Sequence, residues 1–264
     1  MAELPFLTLA ALTRDVDDAG SPDQLNVTIN VNGIDVASAE FIADHPDAQG
    51  YLRRAERVVS FDSNVLTNSS VRIGNRGDDA WAPQHILLFG HTNRESVVPI
   101  AMETDLTEWL SSDASEGALT VPLRLVGHGG SDTLIQRLLL LVRTADEDDA
   151  ETDSLIQLQV TINGQLHVSA VITNTPQDDL ERGLSNWYYL PVQTPFTRAD
   201  LDQHGQMELE ILGEDAWLPD SLYVFGLDTA AGRPTKLVPL AAKRVWGGLV
   251  LSQDEDEGRK KIGL

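Results

Sequence analysis

Apolar and polar residues alternate along this chain in short bursts, and the bursts come in pairs. Asn26-Val27-Thr28-Ile29-Asn30-Val31 and Gln157-Leu158-Gln159-Val160-Thr161-Ile162 each place an apolar side chain at every second position. That period belongs to a strand with one face in a core. Asn32-Gly33 and Asn163-Gly164 follow, a dipeptide suited to φ > 0 that predicts a hairpin in both places. A second alternating pair, Val71 to Ile73 and Met207 to Ile211, leads through Gly/Asp turns to Trp81 and Trp217. Apolar runs then follow at His85 to Phe89 and Ser221 to Phe225, while Phe6 to Leu12 and Leu134 to Val142 open the two series. Modest helical patterning is confined to Tyr51 to Arg57 and Asp105 to Leu110.

The pairing extends to individual residues. Thr13 to Gly33 lies over Thr144 to Gly164 without a gap at an offset of 131, and Thr13, Asp15, Asp17, Asp18, Ala19, Asn32 and Gly33 find identical partners. Asp79-Ala80-Trp81-Ala82-Pro83 matches Asp215-Ala216-Trp217-Leu218-Pro219, and Phe89-Gly90 matches Phe225-Gly226. Leu110-Ser111 to Gly117 matches Leu251-Ser252 to Gly258. Duplication at this period means two copies of one small domain. The expected fold is all-β: two tandem antiparallel β-sandwich domains from an internal duplication, residues 1–130 and 131–264, joined in the Gly-rich run 127–132. Ser, Asp and Gly in the Leu-Ser-x-Asp-x-x-Glu-Gly blocks predict turns capped by side chain to backbone bonds. Asp254 to Glu257 precedes Arg259 to Lys261, so the C-terminal tail reads as zwitterionic and is expected to be disordered.

Charge narrows the partners. The chain carries 41 acidic and 19 basic residues, a net charge of −22, split equally between the two copies. Neither half is basic, so nothing suggests nucleic acid, and an anionic membrane is repelled unless a cation bridges the surfaces. No cysteine is present, which excludes disulfides and thiolate metal sites. The N-terminus lacks a basic n-region, and the apolar runs are too short to span a bilayer. The expected location is cytoplasmic.

The acidic loop Asp148-Asp149-Ala150-Glu151-Thr152-Asp153, its looser twin from Asp17 to Asp23, and Gly77-Asp78-Asp79-Ala80-Trp81 with Gly213-Glu214-Asp215-Ala216-Trp217 together resemble the PLAT (lipoxygenase-homology) family. That family is a β-sandwich related in shape to C2 domains. The resemblance touches about half of each copy. It implies a docking module for proteins or membranes, sometimes with calcium between loops, and not a catalyst.

Two sets of residues are candidates for function. Asp15, Asp17, Asp18 and Asp23 in the first copy, with Asp146, Asp148, Asp149 and Asp153 in the second, offer the hard oxygens that suit Ca²⁺. The alternative is a solvated acidic turn, since two carboxylates about 6 Å apart in water repel by only roughly 0.7 kcal/mol. Trp187-Tyr188-Tyr189, read opposite Val58-Val59-Ser60, is either an interface anchor or a strand rich in aromatics. Trp81 and Trp217 are expected to plug the cores. No Gly-x-Ser-x-Gly elbow accompanies His128-Gly129-Gly130, and no histidine pair has metal spacing. The expected function is a non-enzymatic protein-docking module of two PLAT-like sandwiches, with Ca²⁺ assistance at the acidic loops. The alternatives are a subunit of a self-assembling shell, filament or virion, and a carbohydrate-binding pair with Trp187, Tyr188 and Tyr189 as its platform.

Overall fold

Period-two burial builds the sheets. In the computed structural model, which describes residues 4–17, 19–20, 24–32, 34–41, 51–59, 69–77, 79–93, 95–172 and 180–264, the segment Ile156–Ile162 buries every second side chain without interruption. The chain divides into two compact units, Met1–Gly127 and His128–Leu264. The first holds β1 (Leu4–Thr13), β2 (Leu25–Val31), β3 (Ile34–Phe41), β4 (Tyr51–Val59), β5 (Ser69–Asn75), β6 (Pro83–His91), β7 (Val97–Glu103) and β8 (Thr120–Leu123). They form two four-stranded sheets, ordered β4-β1-β6-β7 and β3-β2-β5-β8.

Next come β9 (Gly127–His128), β10 (Leu134–Thr144), β11 (Ile156–Ile162), β12 (Gln165–Ile172), β13 (Ser185–Thr197), α1 (Arg198–His204), β14 (Gly205–Ile211), β15 (Pro219–Leu227), β16 (Lys236–Lys243) and β17 (Lys261–Gly263). Their sheets run β13-β10-β15-β16-β9 and β12-β11-β14-β17. Apart from the β9 edge, this order repeats that of the first unit strand for strand. The fold is therefore all-β, two tandem antiparallel sandwiches. The division falls slightly before the expected 130/131 because the Gly-rich run is not slack. Its β9 takes a sheet edge, and the Gly129 amide donates to the Leu237 carbonyl at 2.8 Å.

Each sandwich closes over one core. Leu9, Val27, Ile29, Ile73, Leu88 and Trp81 belong to that of the first unit. Leu138, Leu140, Leu158, Val160, Leu209, Val224 and Trp217 belong to that of the second. The two indoles are 1% and 0% exposed, and each donates to a buried threonine. Trp81 Nε1 reaches Thr13 Oγ1 at 3.1 Å, and Trp217 Nε1 reaches Thr144 Oγ1 at 3.0 Å. A buried indole N–H needs such a partner, which explains why Thr and Trp recur together in both copies. Ala19 and Ala150 recur for a related reason: both are buried, and their carbonyls accept the amides of Ala82 and Leu218, the residues after the tryptophans.

The Ser/Asp/Glu/Gly blocks are capped turns in both units. Ser111 Oγ donates to Glu116 Oε2 at 3.1 Å and Ser252 Oγ to Glu257 Oε2 at 3.2 Å. The Asp113 and Asp254 amides donate to those same serine hydroxyls, each at 3.0 Å. The glycines end the turns because a Cβ there would lie 2.5 Å from the Trp109 carbonyl or 2.4 Å from that of Val250.

Several local expectations fail. Tyr51 to Arg57 lies in strand β4, paired antiparallel with β1, because pairing outweighs a weak helical pattern. Asp105 to Leu110 is irregular, with Asp105 at a left-handed φ of 58°, Leu106 and Leu110 buried, and Leu110 bridged to Trp81. The helix found among the described residues, α1, carries a Thr197/Asp200 capping box and buries Leu201. A Thr-x-x-acid signal at residues 197–200 was present in the sequence. The C-terminal tail is anchored, since β17 pairs with β14 through Ile262 opposite Leu209. At the asparagine-glycine turns, Asn163 and Gly164 have φ of 52° and 75°, as a type I′ hairpin requires.

Candidate functional site

The acidic loop of the second unit leaves β10 at Thr144 and is pinned at several points. Ser154 N donates to Thr152 Oγ1 at 3.0 Å, Asp153 N to Asp215 Oδ2 at 3.1 Å, and Asp215 N to Ser154 Oγ at 3.1 Å. Asp149 takes a left-handed φ of 59°, a conformation Asp tolerates better than most residues. This bracing joins the loop to the turn before Trp217.

The countercharge comes from within. Arg182 Nε donates to Asp146 Oδ1 at 2.9 Å, and its Nη1 donates to Asp148 Oδ1. The Asp146 hydrogen bond chiefly, helped by that with Asp148, holds the guanidinium pKa above its ordinary value against the opposing effect of burial. Among the described residues, no three acidic or histidine side chains converge to hold a metal. Of the expected set Asp146, Asp148, Asp149 and Asp153, the first two face this arginine. Arg182 lies 36 residues beyond Asp146 in the chain. No sequence pattern linked the two.

In the first unit Asp15 and Asp17 are exposed on the matching loop. Asp18 and Asp23 lie outside the described residues. Arg14, beside that loop, stacks 5.2 Å from the Trp109 ring centroid and donates to the Glu108 carbonyl at 3.2 Å.

The aromatic run sits on β13, at the edge of its sheet. Strand alternation separates its members: Tyr188 packs against the core cluster, while Trp187 and Tyr189 take the opposite face. Those two rings meet edge to face at 6.0 Å, and the Arg137 guanidinium lies 4.1 Å from the Tyr189 centroid. The three rings therefore form no common platform, and all are only partly exposed. Register also corrects the expected match with Val58-Val59-Ser60. Leu138 opposes Leu190 where Leu7 opposes Ala55, which sets Leu52-Arg53-Arg54 opposite the aromatic run.

The β13 edge is itself protected. Gln193 Oε1 accepts the Ser169 amide at 3.1 Å, and the His167 ring Nδ1 bonds the Thr194 carbonyl at 2.9 Å. Pro191 and Pro195 remove backbone donors from the same edge, a known defence against unwanted strand pairing.

The ionisable groups displaced from their ordinary pKa mostly serve structure. Asp113 is lowered by Ser115, and Asp200 by the helix-capping Thr197. Asp228 is raised by burial but brought lower overall by Thr235 and nearby amides. Glu210 follows the same pattern: burial raises it, and hydrogen bonds from Lys261 and Lys260 outweigh burial to hold it below the ordinary glutamate value. A carboxylate lowered on folding adds stability above its unfolded pKa, and that contribution is lost as pH falls through its folded value. Glu210→Gln is expected to flatten the decline in urea midpoint as pH falls below the ordinary glutamate value of 4.5. An unchanged acid limb would show that the lysine pair contributes nothing.

No known family profile matches the chain, and no curated protein matches it. Among solved structures, an alpha toxin from Clostridium absonum is similar over 52% of this chain and 33% of the toxin chain, at 18% identity and a TM-score of 0.38. This chain thus spans about a third of the toxin's length. At that score the likeness assigns neither a ligand nor an activity.

Proposed function

We propose that the chain is a non-catalytic docking module of two PLAT-like sandwiches that engages a protein partner through loops and sheet faces. One observation carries the reading. The two units repeat the same hydrogen bonds at Trp–Thr, Ser–Glu and the capped turns, while their exposed chemistry differs. A rigid scaffold with divergent loops and faces suits recognition. The lowered carboxylates support it too, each being engaged in a turn, a cap or an ion pair.

Calcium has an assisting role in this proposal. The side chains of Asp146 and Asp148 are 70% and 89% exposed, so Ca²⁺ would bridge open carboxylates to an acidic partner in competition with Arg182, without a closed cage. Titrating Ca²⁺ from chelator to millimolar levels is expected to raise the melting temperature, and Asp17→Ala with Asp148→Ala is expected to abolish the rise. A flat curve removes calcium and leaves docking standing. Docking itself is tested by affinity capture from source cells with native and loop-substituted bait. A defined partner lost with the loop substitutions supports it. Capture of nothing, together with a mass that grows with concentration, replaces docking by self-assembly.

A further inference from the structure

The outer faces of two matching sheets differ in a way the duplication makes legible. In the second unit, Gln157 and Gln159 on β11, Glu210 on β14 and Lys261 on β17 turn away from the core. They form a closed network. Gln157 donates to Ser169 Oγ at 3.0 Å, Gln159 donates to Gln157 Oε1 at 2.5 Å, and Lys261 pairs with Glu210 at 3.0 Å. Long side chains fill this face with their own bonds.

Strand register fixes their counterparts in the first unit. Asn26 opposes Gly74 as Gln157 opposes Glu210, and Thr28 opposes Arg72 as Gln159 opposes Glu208. Thr120 opposes Gly74 as Lys261 opposes Glu210. Asn thus replaces Gln, Thr replaces Gln, Gly replaces Glu, and Thr replaces Lys. Every one of these exchanges shortens the side chain. At the remaining position the charge reverses, Arg72 standing where the second unit has Glu208. The shortening leaves a hollow of about 560 Å³ lined by Asn26, Thr28, Asn30, Arg72, Gly74 and Thr120, among others. Its size falls within the usual range for small-ligand sites.

The lining is mostly amides and hydroxyls, with the guanidinium groups of Arg72 and Arg76 and the carboxylate of Asp35, on a chain of net charge −22. Arg76, also at its margin, is engaged by Glu40, and Asn30 donates to Asp35 Oδ1 at 2.8 Å. Short hydroxyl and amide groups on a strand lattice match a ring bearing several hydroxyls. A planar guanidinium matches a carboxylate in a two-point contact.

We infer that this hollow on the β3-β2-β5-β8 face binds an acidic sugar, a uronic-acid oligosaccharide whose carboxylate meets Arg72. The site is separate from the acidic loops and does not depend on protein docking. The second unit lacks this chemistry because its own glutamine, glutamate and lysine side chains occupy the equivalent positions.

Calorimetric titration of the full chain at low salt with a galacturonic acid trisaccharide tests this, with the neutral galactose trisaccharide and inorganic sulfate as separate arms. Binding of the acidic trisaccharide, at least tenfold tighter than the neutral one, is the expected result. Arg72→Glu should weaken it at least tenfold. The double variant Asn26→Gln, Thr28→Gln, which copies the second unit, should do the same with an unchanged melting temperature. The inference is overturned by no binding of the acidic sugar, by equal affinities for native and Arg72→Glu protein, or by sulfate binding as tightly as the sugar.

Discussion

Trp217→Ala is expected to destabilise the second unit by about 3–5 kcal/mol, the usual cost of deleting a fully buried aromatic side chain. Trp217 is 0% exposed, sits in the core cluster, and its backbone is bridged to Leu251, the first residue of a capped turn. Removal therefore opens a cavity and loosens the turn together. Trp81→Ala should behave alike in the first unit, where Trp81 is bridged to Leu110. Thr144→Val separates the polar part of the effect. It leaves the indole N–H without its acceptor at a cost of about 1–3 kcal/mol and also withdraws the donor to the Leu180 carbonyl. Urea denaturation measures both. A loss below about 1 kcal/mol for Trp217→Ala would mean that the core closes over the vacancy, and the indole would not be its keystone.

The second large effect concerns a glycine. A Cβ at Gly226 on β15 would lie 2.7, 2.8 and 3.0 Å from three atoms of Ile135. Ile135 is 0% exposed and branched at Cβ, so it has little room and few rotamers to move into. Gly226→Ala is expected to cost about 1–3 kcal/mol through overpacking. Gly90→Ala meets Leu4 at 2.6 Å instead, and an unbranched Cβ should yield more easily, making that loss the smaller. Ile135→Val in the Gly226→Ala background should recover part of the stability, a non-additivity read from a double-mutant cycle. Strict additivity would refute the contact as the cause.

These two sites show what could be read from residues alone. The pairs Phe89-Gly90 and Phe225-Gly226 were visible as a repeat, but the need for glycine was not. It arises from Ile135, on a strand about ninety residues earlier in the chain. The tryptophans were legible as core residues because a large apolar side chain recurring in a fixed block has few other uses. Their threonine partners were visible only as matched letters.

The loops were legible as acidic and no further. Asp146 and Asp148 advertised a cation, and the cation nearest them proved to be Arg182, supplied by a segment outside the repeated block. Charge along a sequence shows what a loop attracts, whereas the fold decides which counterion arrives. The aromatic run was legible as a strand, but not which face each ring takes. Three neighbours on a strand cannot share a face, so Tyr188 packs inward while Trp187 and Tyr189 do not.

By itself the sequence determined the duplication, the all-β class and the core faces of the strands, because alternation with a period of two is a local signal repeated in two copies. Tertiary structure alone decided the strand order 4-1-6-7 over 3-2-5-8, the partners of the acidic loops, and the filling of one outer face but not its twin. Those outcomes depend on contacts between residues far apart in the chain, and no local pattern records which distant side chain will be long enough to reach.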